Sequence, residues 1–261
     1  MRWPILFVLL MTVPANAAGK LKADYTLTVA RIPVGAATLE SEIADEAYTS
    51  AMTGHANAAL QMFASGKGAL NARGALTGGQ PEPATFTFDI ESDDERTAKI
   101  ALAFEAGLAK VTAGDRPAQE GRIAITEDHR RNVLDPLSAL MLPAKADALA
   151  CARTLSIYDG RRRFDLKLAF KRTETIKTKG YDGAAAVCSV TFQAVAGHRP
   201  ESTAVKFLSD GREIEIWFAP VAGTPLVAPY RMSVASMLGN IVVQANAFEA
   251  VAKTKPEAKA P

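Results

Sequence analysis

The sequence predicts a mainly β protein: one strongly curved antiparallel sheet, an open barrel or spiral, wrapped around one short helix. Three observations lead there. Apolar residues alternate with polar ones over many short stretches, the signature of strands with one buried face. Turn residues separate these stretches at short intervals. A single strongly capped helical segment, Asp135 to Leu142, interrupts them. A long sheet with one apolar face must curl or close to bury that face and limit its open edges.

The chain opens with Arg2, an apolar run from Ile5 to Val13 and the triplet Ala15-Asn16-Ala17. This is the pattern of a secretory signal peptide, with cleavage expected after Ala17. The apolar run is well short of the ~20 residues that span a bilayer. No later stretch is long and apolar enough to do so, so a periplasmic protein without a membrane span is expected. Removing Arg2 with the leader lowers the formal net charge from +2 to +1. Acidic and basic residues are interspersed, with no basic stripe of the kind that marks nucleic-acid binding. The clusters Arg130-Arg131 and Arg161-Arg162-Arg163 are the exceptions. The triplet reads as a solvated hairpin shoulder, with a phosphate or lipid-headgroup patch as the alternative.

Tyr25, Leu27 and Val29 alternate as a first strand, and Ile32-Pro33-Val34-Gly35 is expected to turn the chain. Ala36 to Ile43 and Tyr48 to Ala56 give two more strands. From Ala58 to Gly79 the sequence is rich in Ala and Gly, and either a short helix leading into a strand or two small-residue strands fits it. Phe86, Phe88 and Ile90 then alternate, answered by Ile100, Leu102 and Phe104 after the polar turn Ser92 to Glu95. Glu105-Ala106-Gly107 turns into Leu108 to Val111.

Asp135 can cap free N–H groups, Pro136 sits where its missing donor is harmless, and Pro143 stops the run. Leu137, Leu140 and Met141 share one helical face, which suits a helix plugging a β core.

The stretch Cys151 to Cys188 reads as a three-strand meander. Leu155 and Ile157, then Phe164, Leu166, Leu168 and Phe170, then Val190 and Phe192 alternate with polar residues. Asp159-Gly160 is a type I′ hairpin signal. Both cysteines fall at apolar parity of their strands. Two cysteines in an exported chain argue for one disulfide, Cys151–Cys188. On the chain-entropy account it stabilises the fold by roughly 4 kcal/mol. Beyond it, Ser209-Asp210-Gly211 joins Ala204–Leu208 to a strand from Glu213 to Ala219. Tyr230 to Val234 and Ile241 to Phe248 complete the pattern, and a disordered tail is expected from about Ala250. The division is thus a leader (1–17), one β domain (18–249) and a tail (250–261).

No catalytic, cofactor or metal site is predicted. His55, His129 and His198 lack metal-ligand spacing and read as surface or locally bonded residues. Ser138 has no nucleophile elbow around it. Asp159, Asp182 and Asp210 each precede glycine and read as turn residues. Gly66 to Gly79 lacks the lysine-serine ending of a phosphate loop.

Several stretches resemble a bacterial envelope family catalogued as domain of unknown function 3108. They are Tyr25 with Pro33-Val34-Gly35, Asp135-Pro136-Leu137-Ser138-Ala139, Tyr158-Asp159-Gly160 through Leu166, and Pro229 to Asn240. The resemblance implies an exported, mostly antiparallel β protein and carries no catalytic residues. In outline the architecture is also similar to that of periplasmic lipoprotein carriers, whose curved sheet wraps a helix. The functional expectation is a non-enzymatic periplasmic binding or scaffold protein of the cell envelope, its concave face holding a lipid or a partner protein segment. The alternative is an envelope glycan or peptidoglycan hydrolase with an acid pair in a cleft, at about 5 to 10 Å.

Overall fold

The computed structural model describes residues 18–56, 66–92, 97–114, 120–144 and 147–253. The first seven strands follow one another as a meander: β1 (Gly19–Val29), β2 (Ile32–Ile43), β3 (Ala47–Ala56), β4 (Gly66–Thr77), β5 (Gln80–Ser92), β6 (Thr97–Glu105) and β7 (Leu108–Gly114). A connecting segment holds the two-residue strand β8 (Leu142–Pro143) and the short helix α1 (Ala148–Cys151). The second half comprises β9 (Arg153–Tyr158), β10 (Arg163–Thr178), β11 (Tyr181–Ala196), α2 (Thr203–Ser209), β12 (Ile214–Pro220), β13 (Leu226–Val234) and β14 (Ile241–Ala252). All of these strands belong to one antiparallel sheet, in which β1 pairs with β14 and joins the two halves. The order runs from β7 at one end to β9 at the other. The expected leader (1–17), the expected polar turn at 93–95 and the first half of the Ala/Gly-rich stretch (57–65) lie outside the described residues.

The two end strands are brought together by the segment Arg131–Leu134. Leu108 of β7 forms a bridge with Arg131, and Leu134 forms one with Ile157 of β9. Asn132 N donates to Gly107 O at 2.7 Å, and Leu134 N to Ser156 O at 2.8 Å. The segment therefore occupies both open edges and leaves the sheet a nearly closed barrel, the physical remedy for unpaired strand edges.

Several local expectations are corrected. Ile32 to Gly35 belongs to β2, and the turn before it is Ala30-Arg31, both at positive φ (48° and 71°). Asp159 to Arg162 forms a four-residue loop instead of a two-residue turn. Asp159 N donates to Arg162 O at 3.1 Å, and its carboxylate accepts the N–H of Arg161 and Arg162 at 2.8 and 2.6 Å. Asp182-Gly183 lies inside β11, and the turn is Lys179-Gly180. The segment 203–209 is helical as α2. β14 continues to Ala252, past the expected start of the tail, because Val251 and Ala252 still pair with Lys20 and Gly19 of β1. Residues 254–261 lie outside the described residues.

The interior element is shorter than the helix read from the sequence. Only Ser138–Leu140 is helical, as a 3-10 turn. Asp135 caps it as expected, accepting the N–H of Leu137 at 3.0 Å and of Ser138 at 2.9 Å. The turn stops because Leu142 and Pro143 pair with Val227 and Leu226 of β13, which holds them extended.

The hairpin β12–β13 runs through the middle of the molecule. Every residue from Ile214 to Ala219 and from Leu226 to Tyr230 is buried. Trp217, Ala219, Leu226 and Tyr230 face the barrel core built on Leu39, Tyr48, Phe86, Leu102 and Phe248. Ile214, Ile216, Phe218 and Val227 face a second core with Leu155, Ile157 and Leu168. Alternate side chains of one hairpin thus enter two cores, which is why β12 reads as nearly continuous apolar sequence.

The disulfide Cys151–Cys188 is formed, with the Cα atoms 5.4 Å apart, inside the second core. Cys188 lies on β11 as expected. Cys151 ends α1 instead of sitting on a strand, because Asp147 caps that turn by accepting Leu149 N at 2.9 Å.

Candidate ligand-binding cavity

The strands β2, β3 and β4 place small residues side by side on the inner face. Register pairs Tyr25 with Ala37, Ala37 with Gly54, Gly54 with Gly68 and Gly68 with Ile90. Across three adjacent strands this row carries nothing larger than a methyl group. One row further along, Leu27 pairs with Gly35 and Gly35 with Ala56, again small residues. In the opposite direction the row is Leu39, Met52, Leu70 and Phe88, which fills the barrel. A barrel filled at one level and thinned at the next leaves a space, because interiors close only where side chains supply the volume.

That space is a cavity of about 450 Å3, within the roughly 300–1,000 Å3 common for small-molecule sites. Its wall is largely apolar: Leu27, Val34, Met52, Leu70, Met232 and Val243 contribute, with Leu140 of the 3-10 turn on the inner side. Among the described residues the lining contains no Asp or Glu. Four polar side chains interrupt it. Tyr25 Oη donates to Pro229 O at 2.6 Å, and burial holds its phenol well above the ordinary value. Arg231 lies 4.9 Å from the Trp217 ring centroid, and its Nη1 donates to Gln244 Oε1 at 3.0 Å. Its Nε is buried and without a partner. His55 is exposed at the rim, beside Lys67, which pairs with Glu91 at 2.8 Å.

The other residues weighed from the sequence lie elsewhere. Ser138 is fully buried, 2.6 Å from Tyr48 Oη and within 2.5 Å of Asp135 Oδ2. Burial raises the Asp135 carboxyl above its ordinary value and holds the Tyr48 phenol high. This chain of hydroxyls and carboxyl joins the sheet to the interior turn and has no exposed atom to offer a substrate. The three histidines are not brought together. His129 Nδ1 accepts the N–H of Thr126 at 3.2 Å, a local contact as expected. His198 is buried, contrary to a surface reading, between Phe164 and Phe192. Among the described residues no group of His, Cys, Asp or Glu could hold a metal ion. The arginine triplet is not uniformly solvated: Arg162 is exposed, but Arg163 is buried and pairs with Asp165 at 2.8 Å. The inward turn of Arg163 follows from the four-residue loop, which puts it opposite Tyr158 at the start of β10.

The family model described as "Protein of unknown function (DUF3108)" matches residues 24–246. The chain belongs to the DUF3108 family. All four stretches that carry the sequence resemblance fall within the match, and the cavity wall lies inside it as well. No curated protein matches the chain. Among solved structures, this DUF3108 chain is similar to a beta-barrel-like protein of domain of unknown function DUF1849 from Brucella abortus. The identity is 9%, the alignment covers 89% of this chain and 97% of that one, and the TM-score is 0.48. No helix among the described residues of this DUF3108 protein is long and apolar enough to cross a membrane. The small-residue rows that open the cavity went unread in the sequence. Their signal was present: Gly54, Gly66 and Gly68 interrupt strands, where glycine usually marks a bulge or a close approach.

Proposed function

We propose that this protein is a non-enzymatic binding protein of the cell envelope, exported by its leader, that takes an apolar chain such as an acyl group into the barrel. The observation that carries the reading is the row Ala37, Gly54 and Gly68, which leaves an apolar space instead of a packed core. Burying a chain there removes its CH2 groups from water at about 0.8 kcal/mol each. Arg231 supplies a cation on the cavity wall whose Nε is buried without a partner, suited to an acidic headgroup. The leader and the disulfide support an oxidising compartment outside the cytoplasm. The lining without carboxylates favours binding over glycan hydrolysis, which needs two of them.

The test is native mass spectrometry of protein purified from the envelope, followed by uptake of a fluorescent fatty acid after delipidation. Bound lipid and saturable uptake are expected. Ala37→Phe, which fills the small-residue row, should abolish uptake with the melting temperature retained. A wild-type protein that carries no lipid and takes up none would leave a scaffold role alone.

A further inference from the structure

Another cavity lies between α2 and the residues Phe164 and Phe192 that pack against the second core. It has a volume of about 460 Å3. Its apolar side is formed by Phe164, Phe192, Val205 and Leu208, and its charged side by Arg122, Arg162, Arg199 and Asp159. Three guanidiniums therefore face one carboxylate. That carboxylate is already engaged, since Asp159 accepts two backbone N–H groups of its own loop. Arg122 is half-buried and anchored, donating from Nη1 to Gly197 O at 2.8 Å. Arg162 and Arg199 are exposed at the mouth.

His198 lines this cavity with 5% of its surface exposed. Its ring meets Phe192 edge-on at 5.9 Å and Phe164 at 6.4 Å between centroids. It keeps a backbone hydrogen bond with Arg163, yet its Nε2 is buried and has no partner. A buried polar atom without a partner is unfavourable, because it has given up water and gained no hydrogen bond in exchange. Here it sits beside guanidiniums that would bring an acceptor-rich group close to it.

We infer that the cavity binds a small organic anion with an apolar ring or short chain, its carboxylate or phosphate held by Arg162 and Arg199 at the mouth. The ligand's apolar body would lie against Phe164, Phe192 and Leu208. Guanidinium forks suit both anions, which they bind through paired hydrogen bonds. On ligand binding the His198 imidazole takes up a proton from solvent at Nε2, and the resulting N–H donates a hydrogen bond to the anion. Burial, then the neighbouring Arg162, holds that imidazole below its ordinary value in the free protein. Arg122 adds to the lowering, while Asp159 and the Arg163 backbone oppose it. A bound anion would offset the positive field, so binding and protonation should reinforce each other.

The experiment is calorimetric titration of the full mature chain with phenyl phosphate and with benzoate, using inorganic phosphate and benzyl alcohol as comparisons. Saturable binding of at least one aromatic anion at millimolar concentration is expected, with benzyl alcohol silent. Binding of inorganic phosphate equal to phenyl phosphate would show that the apolar side contributes nothing and overturn the amphiphilic ligand. Arg162→Ala combined with Arg199→Ala should weaken the aromatic anion about tenfold or more. A second readout needs no variant: imidazole NMR of His198 should show its pKa rising when the ligand is added. No binding by either aromatic anion, or binding that leaves the His198 titration unmoved, sinks the proposal.

Discussion

Tyr48 Oη lies 2.6 Å from Ser138 Oγ, and the two residues, 90 apart in sequence, tie the third strand of the sheet to the turn inside it. Ser138 Oγ in turn donates to Asp135 Oδ2. Each group is buried, so each depends on the others for its hydrogen bonds. Tyr48→Phe and Ser138→Ala should each cost about 1–3 kcal/mol, the cost of stranding a buried polar partner. The double change should cost less than the sum, because both variants remove the same bond. Denaturant unfolding of the four proteins checks this, and strict additivity would show that the pair is not coupled.

Asp135 gives this interior turn a pH dependence. Its folded pKa is raised above the ordinary 3.8, and burial is the cause. A group raised in this way favours the folded state most when protonated. Its contribution is fully present below about pH 3.8 and is lost as pH rises through the higher folded value. Asp135→Asn removes the titration and keeps a carbonyl to accept the N–H groups of Leu137 and Ser138. The stability of wild type minus that of the Asn variant should therefore fall as pH rises from about 4 toward neutrality. A flat difference over that range would mean that Asp135 stays ionised when buried.

The disulfide acts at the opposite side of the dividing hairpin. Cys151→Ser and Cys188→Ser should lower stability by similar amounts, on the order of 4 kcal/mol for a loop of this span. The double variant should be no worse than either one. Thermal unfolding under non-reducing conditions measures all three. Losses that add would assign each thiol a separate role.

Two hairpin turns are strained by residue type. Ala106 at φ 47° precedes Gly107 at φ 75°, and Arg31 follows Ala30 at φ 71°. Left-handed backbone costs a non-glycine residue roughly 1–2 kcal/mol. Ala106→Asn converts the first of these into the favoured Asn-Gly pair. It should raise the unfolding free energy by about 0.5–1 kcal/mol, less than the full strain because asparagine retains part of it. Arg31→Gly should act the same way at the first hairpin. No gain in melting temperature from either would show that the strain is absorbed elsewhere.

The alternation of Phe86, Phe88 and Ile90 or of Leu155 and Ile157 revealed the strands because each has one wet face and one dry face. In β12 both faces are buried, and only Glu215 suggests a wet one; that carboxylate is itself buried and paired with Lys171 and Arg172. The interior helix ends sooner than its local sequence implies. Asp135 and Pro136 start a helix by local chemistry, whereas its end is set by the pairing of Leu142 and Pro143 with β13, more than eighty residues away. The cavity was hidden for a third reason. Ala37, Gly54 and Gly68 look unremarkable singly, and only the strand register places them in one row. Pairing across the sheet, which a single sequence does not display, turns three small residues into one space.

The seam of the barrel offers the sharpest test of closure. Gly160 has φ +90°, and a Cβ there would come within 2.5 Å of Ile100 Cγ2 on β6. Gly211 has a comparable φ of +72°, with nothing within 4 Å of its would-be Cβ. Gly160→Ala and Gly211→Ala therefore share the backbone penalty and differ in the clash. Gly211→Ala should cost about 1–2 kcal/mol. Gly160→Ala should cost a further 1–3 kcal/mol, as overpacking does, because the β9–β10 loop must lift away from Ile100 and Leu102. Hydrogen exchange should then show faster exchange at Leu134 N and Asn132 N, whose bonds hold the two edges, with Leu39 and Met52 amides unchanged. Equal costs for the two substitutions would mean that the β9–β10 loop does not pack against β6 in solution, and that the barrel is open at this seam.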